Sequence, residues 1–259
     1  MNQQNSTSTD RRGFTLIELM LAMAFVSVLL MTIAFTVIRV GTIYNSGMTI
    51  KEVNQSSREV ANELQQAAGA ATALTISTGA DSQYVTIGTG ANIYGGRICL
   101  GSYSYVWNTG WGLEQALSQV NVAAYLDEAG AKKTAVRFAK VPDVAKKYCE
   151  KNASNGLVNV NISSADANVS KELLAAGDRN IAIQNITLTK GPADDSIKQG
   201  LYRLSYTLGA GKTITMNPAR TACLPPDDDN ADPSYCNIQQ FTITLRTGNA
   251  AKGTGATVY

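Results

Sequence analysis

The clearest hydrophobic feature of the chain is an uninterrupted apolar run from Leu19 to Ile38. The run contains no charge, no proline and no glycine, and its only polar residues are Ser27, Thr32 and Thr36. About 20 predominantly apolar residues are enough to cross the hydrocarbon core of a bilayer as a helix. The run therefore predicts a transmembrane helix near the N-terminus.

After Arg39 the apolar positions narrow to a stripe that recurs every three or four residues, as on one face of a helix. Polar residues such as Lys51, Glu52, Glu59 and Glu63 fill the positions between them. The stripe predicts that the helix continues as an amphipathic segment and ends near Gly69. Its members are Ile43, Gly47, Ile50, Val53, Ser57, Val60, Leu64 and Ala67.

Beyond Gly69 the pattern changes to short runs that alternate between apolar and polar residues, which is typical of half-buried antiparallel strands. Short helices are predicted at Gln115–Leu126 and Ser170–Ala176, and a hairpin turn at Gly209–Gly211 before a strand at Lys212–Met216. The predicted fold class is α+β, with the long helix packed on an antiparallel sheet. The other predicted strands are Gln83–Ile87, Arg97–Leu100, Tyr103–Trp107, Thr134–Ala139, Leu157–Ile162, Ile181–Thr189, Leu201–Leu208 and Phe241–Arg246.

The composition of the chain excludes several kinds of catalytic and metal site. The 259 residues carry a net charge of +2, only 16% of them are charged, and there is no histidine. The missing histidine excludes histidine-based triads, proton relays and His-x-x-x-His zinc sites. Bulk charge gives no strong signal for nucleic-acid binding. Neither a cofactor nor a metal site is predicted, and the protein is not expected to be an enzyme.

Glu18 stands at the start of the apolar run, where a carboxylate is unfavourable unless it has a partner. No basic residue follows it until Arg39. Cleavage of the chain after Gly13 would create a positive amine at Phe14, which could serve as that partner. The alternative is an uncleaved signal anchor in which Glu18 reaches back to the lipid headgroups.

Gly13, Phe14 and Glu18 belong to one segment. It consists of a short basic leader, a glycine and an apolar run with a glutamate near its start. It resembles the class III signal of type IV pilins and type II secretion pseudopilins. In that family a prepilin peptidase cuts after the glycine and methylates the new terminal residue, and the glutamate pairs with the terminal amine of a neighbouring subunit. The residues that carry the resemblance are Arg11-Arg12-Gly13-Phe14-Thr15-Leu16-Ile17-Glu18.

The resemblance implies four parts: a leader at 1–13, a transmembrane half-helix at 14–38, an amphipathic half at 39–68 and a β-rich head at 69–259. Its implied partners are other pilin or pseudopilin subunits, the prepilin peptidase, an inner-membrane assembly platform and membrane lipid. Arg11 and Arg12 favour a cytoplasmic N-terminus, because basic residues flank the cytoplasmic side of spans. The head would then lie outside the inner membrane, and the subunit would later enter a filament.

Two features favour a minor subunit. Type IVa major pilins usually have a glycine and a proline inside the span, where Ser27 and Phe35 stand here. The length of the chain also favours a minor pilin. The late segments Ile181–Lys190 and Ile238–Thr247 look like the end of PilW-type minor pilins and of the J-type pseudopilin.

The four cysteines follow the predicted span, where disulfides are expected in an extracytoplasmic head. Sequence alone leaves three pairings of Cys99, Cys149, Cys223 and Cys236. The segment 223–236 resembles the C-terminal disulfide loop of pilins, which favours Cys223–Cys236 and leaves Cys99–Cys149. Closing such a loop contributes roughly 3 kcal/mol in the chain-entropy model.

Two charged segments are candidate binding surfaces. The acidic turn with Asp227, Asp228, Asp229 and Asp232 contains oxygen ligands that suit Ca²⁺, but it lacks the EF-hand spacing, and a solvated turn is favoured. A basic segment could bind DNA during uptake, although a solvated helix-and-loop face is favoured. Its residues are Lys132, Lys133, Arg137, Lys140, Lys146, Lys147 and Lys151.

The preferred interpretation is therefore a structural, minor subunit of a type IV pilus or of a type II secretion pseudopilus. A second class is a filament-borne binding module, either an adhesin or a DNA-uptake pilin that uses one of the charged segments. A third class is an uncleaved, membrane-anchored enzyme. The N-terminus of the mature protein separates the third class from the first two.

Overall fold

The structure is a computed structural model that describes residues 15–76, 82–90, 92–154, 156–174, 177, 179–191 and 200–248. The chain divides into two compact units, Met1–Tyr44 and Asn45–Tyr259. One continuous helix, α1, runs from Leu16 to Gly69 and so belongs to both units. The long N-terminal helix and the following antiparallel sheets confirm the predicted α+β class.

Within the first unit α1 is exposed on all sides, which fits its apolar composition around the full helix. Every large apolar side chain from Leu16 to Tyr44 is between 44% and 77% exposed. Exposed apolar surface on this scale is not found on ordinary soluble monomers. This part of the helix therefore requires lipid or other protein around it.

Within the second unit α1 buries one stripe. The buried positions are four, four, three, four and three residues apart, which follows the helical period. They are Thr49, Val53, Ser57, Val60, Leu64 and Ala67. The predicted stripe is correct from Val53 onwards.

The predicted stripe is wrong before Val53, because Ile43, Gly47 and Ile50 are exposed. Thr49 is buried in place of Ile50. Its hydroxyl donates to the Asn45 carbonyl at 2.9 Å and accepts from Nε of Arg179 at 2.9 Å. A polar contact with the head, which hydrophobicity cannot indicate, thus sets the register of the buried face.

The first sheet has five antiparallel strands in the order β1–β2–β3–β6–β7. Its central strand β3 alternates its side chains between two cores. Tyr105 and Trp107 face the main core, whereas Val106 faces a smaller one. The strands are β1 (Tyr84–Ile87), β2 (Gly95–Leu100), β3 (Tyr103–Asn108), β6 (Phe138–Pro142) and β7 (Lys171–Glu172).

The second sheet has three antiparallel strands in the order β10–β9–β8. They are β8 (Ala182–Lys190), β9 (Leu201–Ala210) and β10 (Asn237–Arg246). A separate two-stranded ribbon pairs β4 (Ala124–Leu126) with β5 (Lys132–Ala135). The short helices are α2 (Gly110–Glu114) and α3 (Ser164–Ala167).

The main core lies between α1 and the two larger sheets. The helix contributes Val53, Val60 and Leu64, the five-stranded sheet contributes residues such as Trp107, and the three-stranded sheet contributes residues such as Tyr206. These three elements bury each other, so none of them has its own core. A smaller cluster behind the five-stranded sheet includes Val141 and Ile162.

Two predicted helices are wrong. Residues 115–123 form turns and Ala124–Leu126 is a strand, while Lys171–Glu172 is also a strand. The side chain of buried Asn108 explains the first error, because its amide donates to the Ala123 carbonyl and accepts from the Ala123 N–H. This contact fixes residue 123 in a non-helical position. Residues 175 and 176 lie outside the described residues.

Three strand predictions also need correction. Thr134–Ala139 covers parts of two strands, β5 and β6, and Leu157–Ile162 is irregular apart from single bridges at Leu157 and Ile162. At Lys212–Met216 the chain forms a 3-10 turn, Thr213–Thr215, and β9 pairs instead with β10. The carboxylate of Glu114 accepts a hydrogen bond from the Thr213 N–H at 2.7 Å, which diverts this segment from the sheet.

Candidate functional site

The N-terminal segment begins with a capping box that the sequence analysis missed. The Thr15 hydroxyl and N–H donate to Oε2 of Glu18 at 2.9 and 3.0 Å, and the Glu18 N–H donates back to the Thr15 hydroxyl at 3.4 Å. The Thr-x-x-Glu spacing before an apolar run is a known signal for this cap. Glu18 is therefore fixed at the first turn of α1. Gly13 and Phe14 lie outside the described residues.

The polar side chains inside the apolar run do not expose unpaired donors. Ser27 donates to the Met23 carbonyl, Thr32 to the Leu29 carbonyl and Thr36 to the Thr32 carbonyl, each at 2.8 Å. Hydroxyls that bond to the preceding turn are satisfied without water. Such a surface suits the bilayer core, where an unpaired polar group is costly.

Length and hydropathy identify α1 as the membrane-spanning candidate in the described part of the chain. Its most apolar 18-residue window has a mean hydropathy of 2.5 and is not buried by the protein. A buried core helix can reach similar hydropathy, but its apolar side chains are covered. The exposure of this helix, together with its length, fits single-pass membrane anchoring.

Two tyrosines of β9 contact α1 and the segment just after it. The Tyr206 hydroxyl lies 2.9 Å from both the hydroxyl and the carbonyl of Ser57. The Tyr202 hydroxyl accepts from the Leu74 N–H at 2.7 Å and donates to the Leu74 carbonyl at 2.8 Å. Both hydroxyls are buried, so each satisfies polar groups in the core.

Charged contacts also join α1 to the head. Glu63 of α1 accepts from Lys140 at 2.6 Å and from the Tyr105 hydroxyl at 2.9 Å. Burial acts to raise the pKa of Glu63, but the hydrogen bonds from Lys140 and Tyr105 outweigh it and lower the pKa. Glu52 pairs with Arg179 at 2.5 Å. These contacts give the helix a fixed rotation against the head.

The structure joins Cys99 to Cys149 and Cys223 to Cys236, the two pairs that the sequence analysis favours. Cys99 and Cys149 are buried, and their bond ties β2 to the loop after β6. The second bond closes the segment 223–236, which lies between the 3-10 turn and β10. One bond therefore secures the irregular segment after β6, and the other secures the segment that precedes β10.

The acidic turn is exposed at Asp227, Asp228 and Asp229. The Asp228 carboxylate accepts from the Asn230 N–H, and the Asp232 carboxylate accepts from the N–H groups of Ser234 and Tyr235. These bonds are those of ordinary turns. In the part of the chain that the structure describes, no group of three carboxylate, cysteine or histidine ligands converges on one point.

The basic segment lies on strands and loops of the head, not on a helix. Arg137 donates to the Ile181 carbonyl and to the Asn180 side chain, and Lys132 donates to the Gln119 and Val122 carbonyls. Lys140 pairs with Glu63, and Lys147 pairs with Asp166 at 2.7 Å. Lys133 is exposed, while Lys146 and Lys151 are half-buried. DNA binding by this segment stays a prediction.

Arg97 on β2 is a buried charged residue that the sequence analysis did not identify. It is completely buried and donates to the carbonyls of Gly96 and Val160, both at 2.6 Å. Burial lowers the pKa of Arg97 to about 9, which keeps the group charged at neutral pH. Arg97 thereby attaches the irregular segment near Val160 to the five-stranded sheet.

A cleft of about 810 Å³ lies between the β4–β5 ribbon, α3 and β7. Glu172 lines it and accepts from the Tyr125 hydroxyl at 2.8 Å and from the Phe138 N–H. Burial raises the pKa of Glu172, but these bonds already occupy both of its carboxylate oxygens. The arrangement is that of a structural carboxylate that connects β4, β6 and β7.

Comparison with protein families gives one match. Residues 8–35 match the family model described as the prokaryotic N-terminal methylation motif, which is the class III prepilin signal. The matched region contains Gly13, Phe14, Glu18 and most of the exposed apolar run. No curated protein and no solved structure matched the chain.

Proposed function

We propose that this type IV pilin-like chain is a minor structural subunit of a type IV pilus or of a type II secretion pseudopilus. The observation that carries the proposal is the exposed apolar surface of α1, which begins inside the matched methylation motif. The surface suits lipid before assembly and the helices of other subunits after it. The mechanism is assembly through α1, without catalysis.

In this mechanism the prepilin peptidase removes residues 1–13 and methylates Phe14. The chain then spans the inner membrane once, with its N-terminus in the cytoplasm and its head outside. Glu18 pairs with the terminal amine of a neighbouring subunit, and the assembly platform moves the subunit from the membrane into the filament. The fixed position of Glu18 in the first turn supports this pairing, because it limits where the carboxylate can lie.

The first test is the mature N-terminus. Mass spectrometry of protein purified from native membranes should find a chain that starts at N-methylated Phe14. Gly13→Val should leave the leader attached, since only a minimal side chain suits the cleavage position of the family. Thr9→Val, a similar change inside the leader, should be processed normally. A wild-type chain that still starts at Met1 would refute the proposal.

The second test separates the charge of Glu18 from its role as a helix cap. Glu18→Gln keeps the side-chain size and an acceptor for Thr15 but removes the charge, so it should insert into the membrane and fail to enter filaments. Thr15→Ala removes a capping hydroxyl and keeps the charge, so it should still enter. The measurement is the fraction of the chain in sheared filaments. Normal incorporation of Glu18→Gln would exclude the amine pairing.

A further inference from the structure

The chain after residue 13 contains five copies of the tripeptide Asn-x-Ser/Thr. This pattern is the acceptor for N-linked oligosaccharides in proteins that leave the cytoplasm. The pattern is short, so the surroundings of each copy determine whether an enzyme can reach its carboxamide. An attached oligosaccharide is bulky and needs an exposed position, which irregular surface segments provide. The five asparagines are Asn54, Asn152, Asn161, Asn168 and Asn185.

Three of the five asparagines are held in regular structure or in contacts within the head. Asn54 lies inside α1, and its amide donates to the Ile50 carbonyl at 3.0 Å. The side-chain oxygen of Asn161 accepts from the Ala124 N–H at 3.1 Å in a part-buried position. Asn185 belongs to β8, and its backbone is paired with β9. A transferring enzyme could bind these segments only if the head opened locally.

Asn152 is exposed, but its carboxamide is fixed in a turn. The side-chain oxygen accepts from the N–H groups of Ser154 and Gly156 at 3.0 and 2.9 Å. Resonance gives the C–N bond of an amide partial double-bond character. Hydrogen bonds to the amide oxygen favour this resonance, in which the nitrogen is a poor nucleophile. Transfer of a sugar to Asn152 would therefore first have to break both hydrogen bonds.

Asn168 combines exposure, an irregular segment and a carboxamide that has no hydrogen bond to any residue that the structure describes. It directly follows α3, a helix of only four residues, none of which is buried. The next residue, Val169, is 62% exposed. The Ser170 hydroxyl completes the tripeptide and donates to the Ala167 carbonyl at 2.9 Å. This segment can therefore be displaced by an enzyme without opening a core.

The cleft between the β4–β5 ribbon, α3 and β7 provides room for a sugar at this position. Asn168 and Ser170 both line the cleft, and its volume of about 810 Å³ lies in the usual range of about 300–1,000 Å³ for small-molecule sites. Lys133, Thr134 and Ser164 also line it. Hydroxyl and ammonium groups of this kind can donate hydrogen bonds to the oxygens of a sugar.

We propose that Asn168 carries an N-linked oligosaccharide whose first sugar lies in this cleft. In the transfer, Nδ2 of Asn168 forms a bond to the anomeric carbon of the sugar and loses one proton to a base of the transferring enzyme. The bond from that carbon to a phosphate oxygen of a lipid pyrophosphate donor breaks, and the lipid pyrophosphate leaves. The inference rests on the proposed function in one respect, since the transfer requires a head outside the cytoplasm.

Mass spectrometry of the protein purified from its native membranes locates the modification. The proteolytic peptide that contains Asn168 should have the added mass of sugars, and fragmentation should place that mass on Asn168. Asn168→Gln should lose the modification completely, although glutamine keeps a carboxamide. Asn152→Gln is the same change at the other exposed loop copy and should keep the sugar on Asn168.

The Ser170 hydroxyl gives a second pair of variants. Ser170→Ala should abolish the modification, and Ser170→Thr should retain it, because the pattern requires a hydroxyl two residues after the asparagine. Circular dichroism of Ser170→Ala should still show a folded head, which separates loss of the acceptor from misfolding. Full modification of the Ser170→Ala chain would overturn the inference.

Acylation of lysine side chains tests the position of the first sugar. Lys133 is exposed and lines the cleft, so it should react more slowly in the wild type than in Asn168→Gln. Lys212 is exposed outside the cleft and should react equally in both chains. Equal reaction of Lys133 in the two chains would exclude the sugar from the cleft.

The same digest contains the mature N-terminus, so the inference and the proposed function can fail separately. Unmodified Asn168 in a chain that starts at N-methylated Phe14 would overturn the inference and leave the proposed function intact. Sugar on Asn152, or on a serine or threonine, would overturn the inference as well. Sugar on Asn168 in a chain that still starts at Met1 would support the inference and refute the proposed function.

Discussion

Tyr206 shows how single residues connect distant parts of this chain. Its hydroxyl contacts Ser57, which is 149 positions earlier, and its ring stacks on Phe241 with centroids 5.5 Å apart. A buried tyrosine gains from both its apolar ring and its hydrogen-bonding tip. The ring can be kept while the hydroxyl is removed, so the two contributions can be separated.

Tyr206→Phe should therefore lower the free energy of unfolding by about 1 kcal/mol, the usual net contribution of one hydrogen bond. Tyr206→Ala should cost about 3–5 kcal/mol, because it also leaves a cavity in the main core. Denaturant unfolding of the detergent-solubilised chain measures both values. An equal loss in the two variants would show that the ring does not pack as the structure describes.

Glu63 gives a pH dependence with a defined sign. Its pKa in the folded chain lies below the ordinary value of 4.5, so its contribution to stability is full above pH 4.5 and is lost as the pH falls through the folded pKa. Glu63→Gln should remove this part of the acid sensitivity. Unfolding measured between pH 7 and pH 3 should show a smaller acid-induced loss in the variant than in the wild type. A larger loss in the variant would contradict the contact with Lys140.

At the scale of elements, the disulfide segment 223–236 joins the 3-10 turn to β10. Replacing both Cys223 and Cys236 by serine should lower the free energy of unfolding of the head by roughly 3 kcal/mol, because the unfolded chain is no longer constrained. Membrane insertion and leader cleavage should not change, since they depend on residues far from this bond. Non-reducing peptide mapping should recover the two cysteines in one linked species, and free thiols would contradict the structure.

Long periodic segments of this fold could be predicted from the sequence, because they depend on local patterning. The apolar run, the buried stripe from Val53 and the strands β8, β9 and β10 all follow from helical or alternating periods. The Thr-x-x-Glu spacing of Thr15 and Glu18 also indicates the helix cap.

The remaining elements depend on contacts between residues far apart in sequence, which a local pattern does not contain. Asn108 prevents a helix at residue 123, Glu114 diverts Thr213 from a strand, and Arg179 sets the helix register at Thr49. The same limit applies to the candidate site. The ion pair between Glu63 and Lys140 joins residues 77 positions apart, and only the fold brings them together.

At the scale of the whole molecule, α1 is a structural part of the head's core. A chain that starts at Asn45 should fold as a soluble unit, because it keeps the entire buried stripe and loses the exposed apolar surface. A chain that starts at Ala70 should not fold stably. It loses Val53, Val60 and Leu64, and burial of each contributes about 1.5–3 kcal/mol, against a total stability of about 5–15 kcal/mol for a domain. Circular dichroism and thermal unfolding should show a cooperative transition for the fragment that starts at Asn45 and none for the fragment that starts at Ala70.

The contact between Ser57 and Tyr206 also has a consequence for the timing of folding. The helical part of the core is synthesised first, but the strand that covers it, β9, emerges only after 200 residues. Proteins dominated by contacts between residues so far apart in sequence fold slowly. The head therefore cannot complete its core until most of the chain has been made. The head is therefore expected to reach its full stability only after β9 has been synthesised.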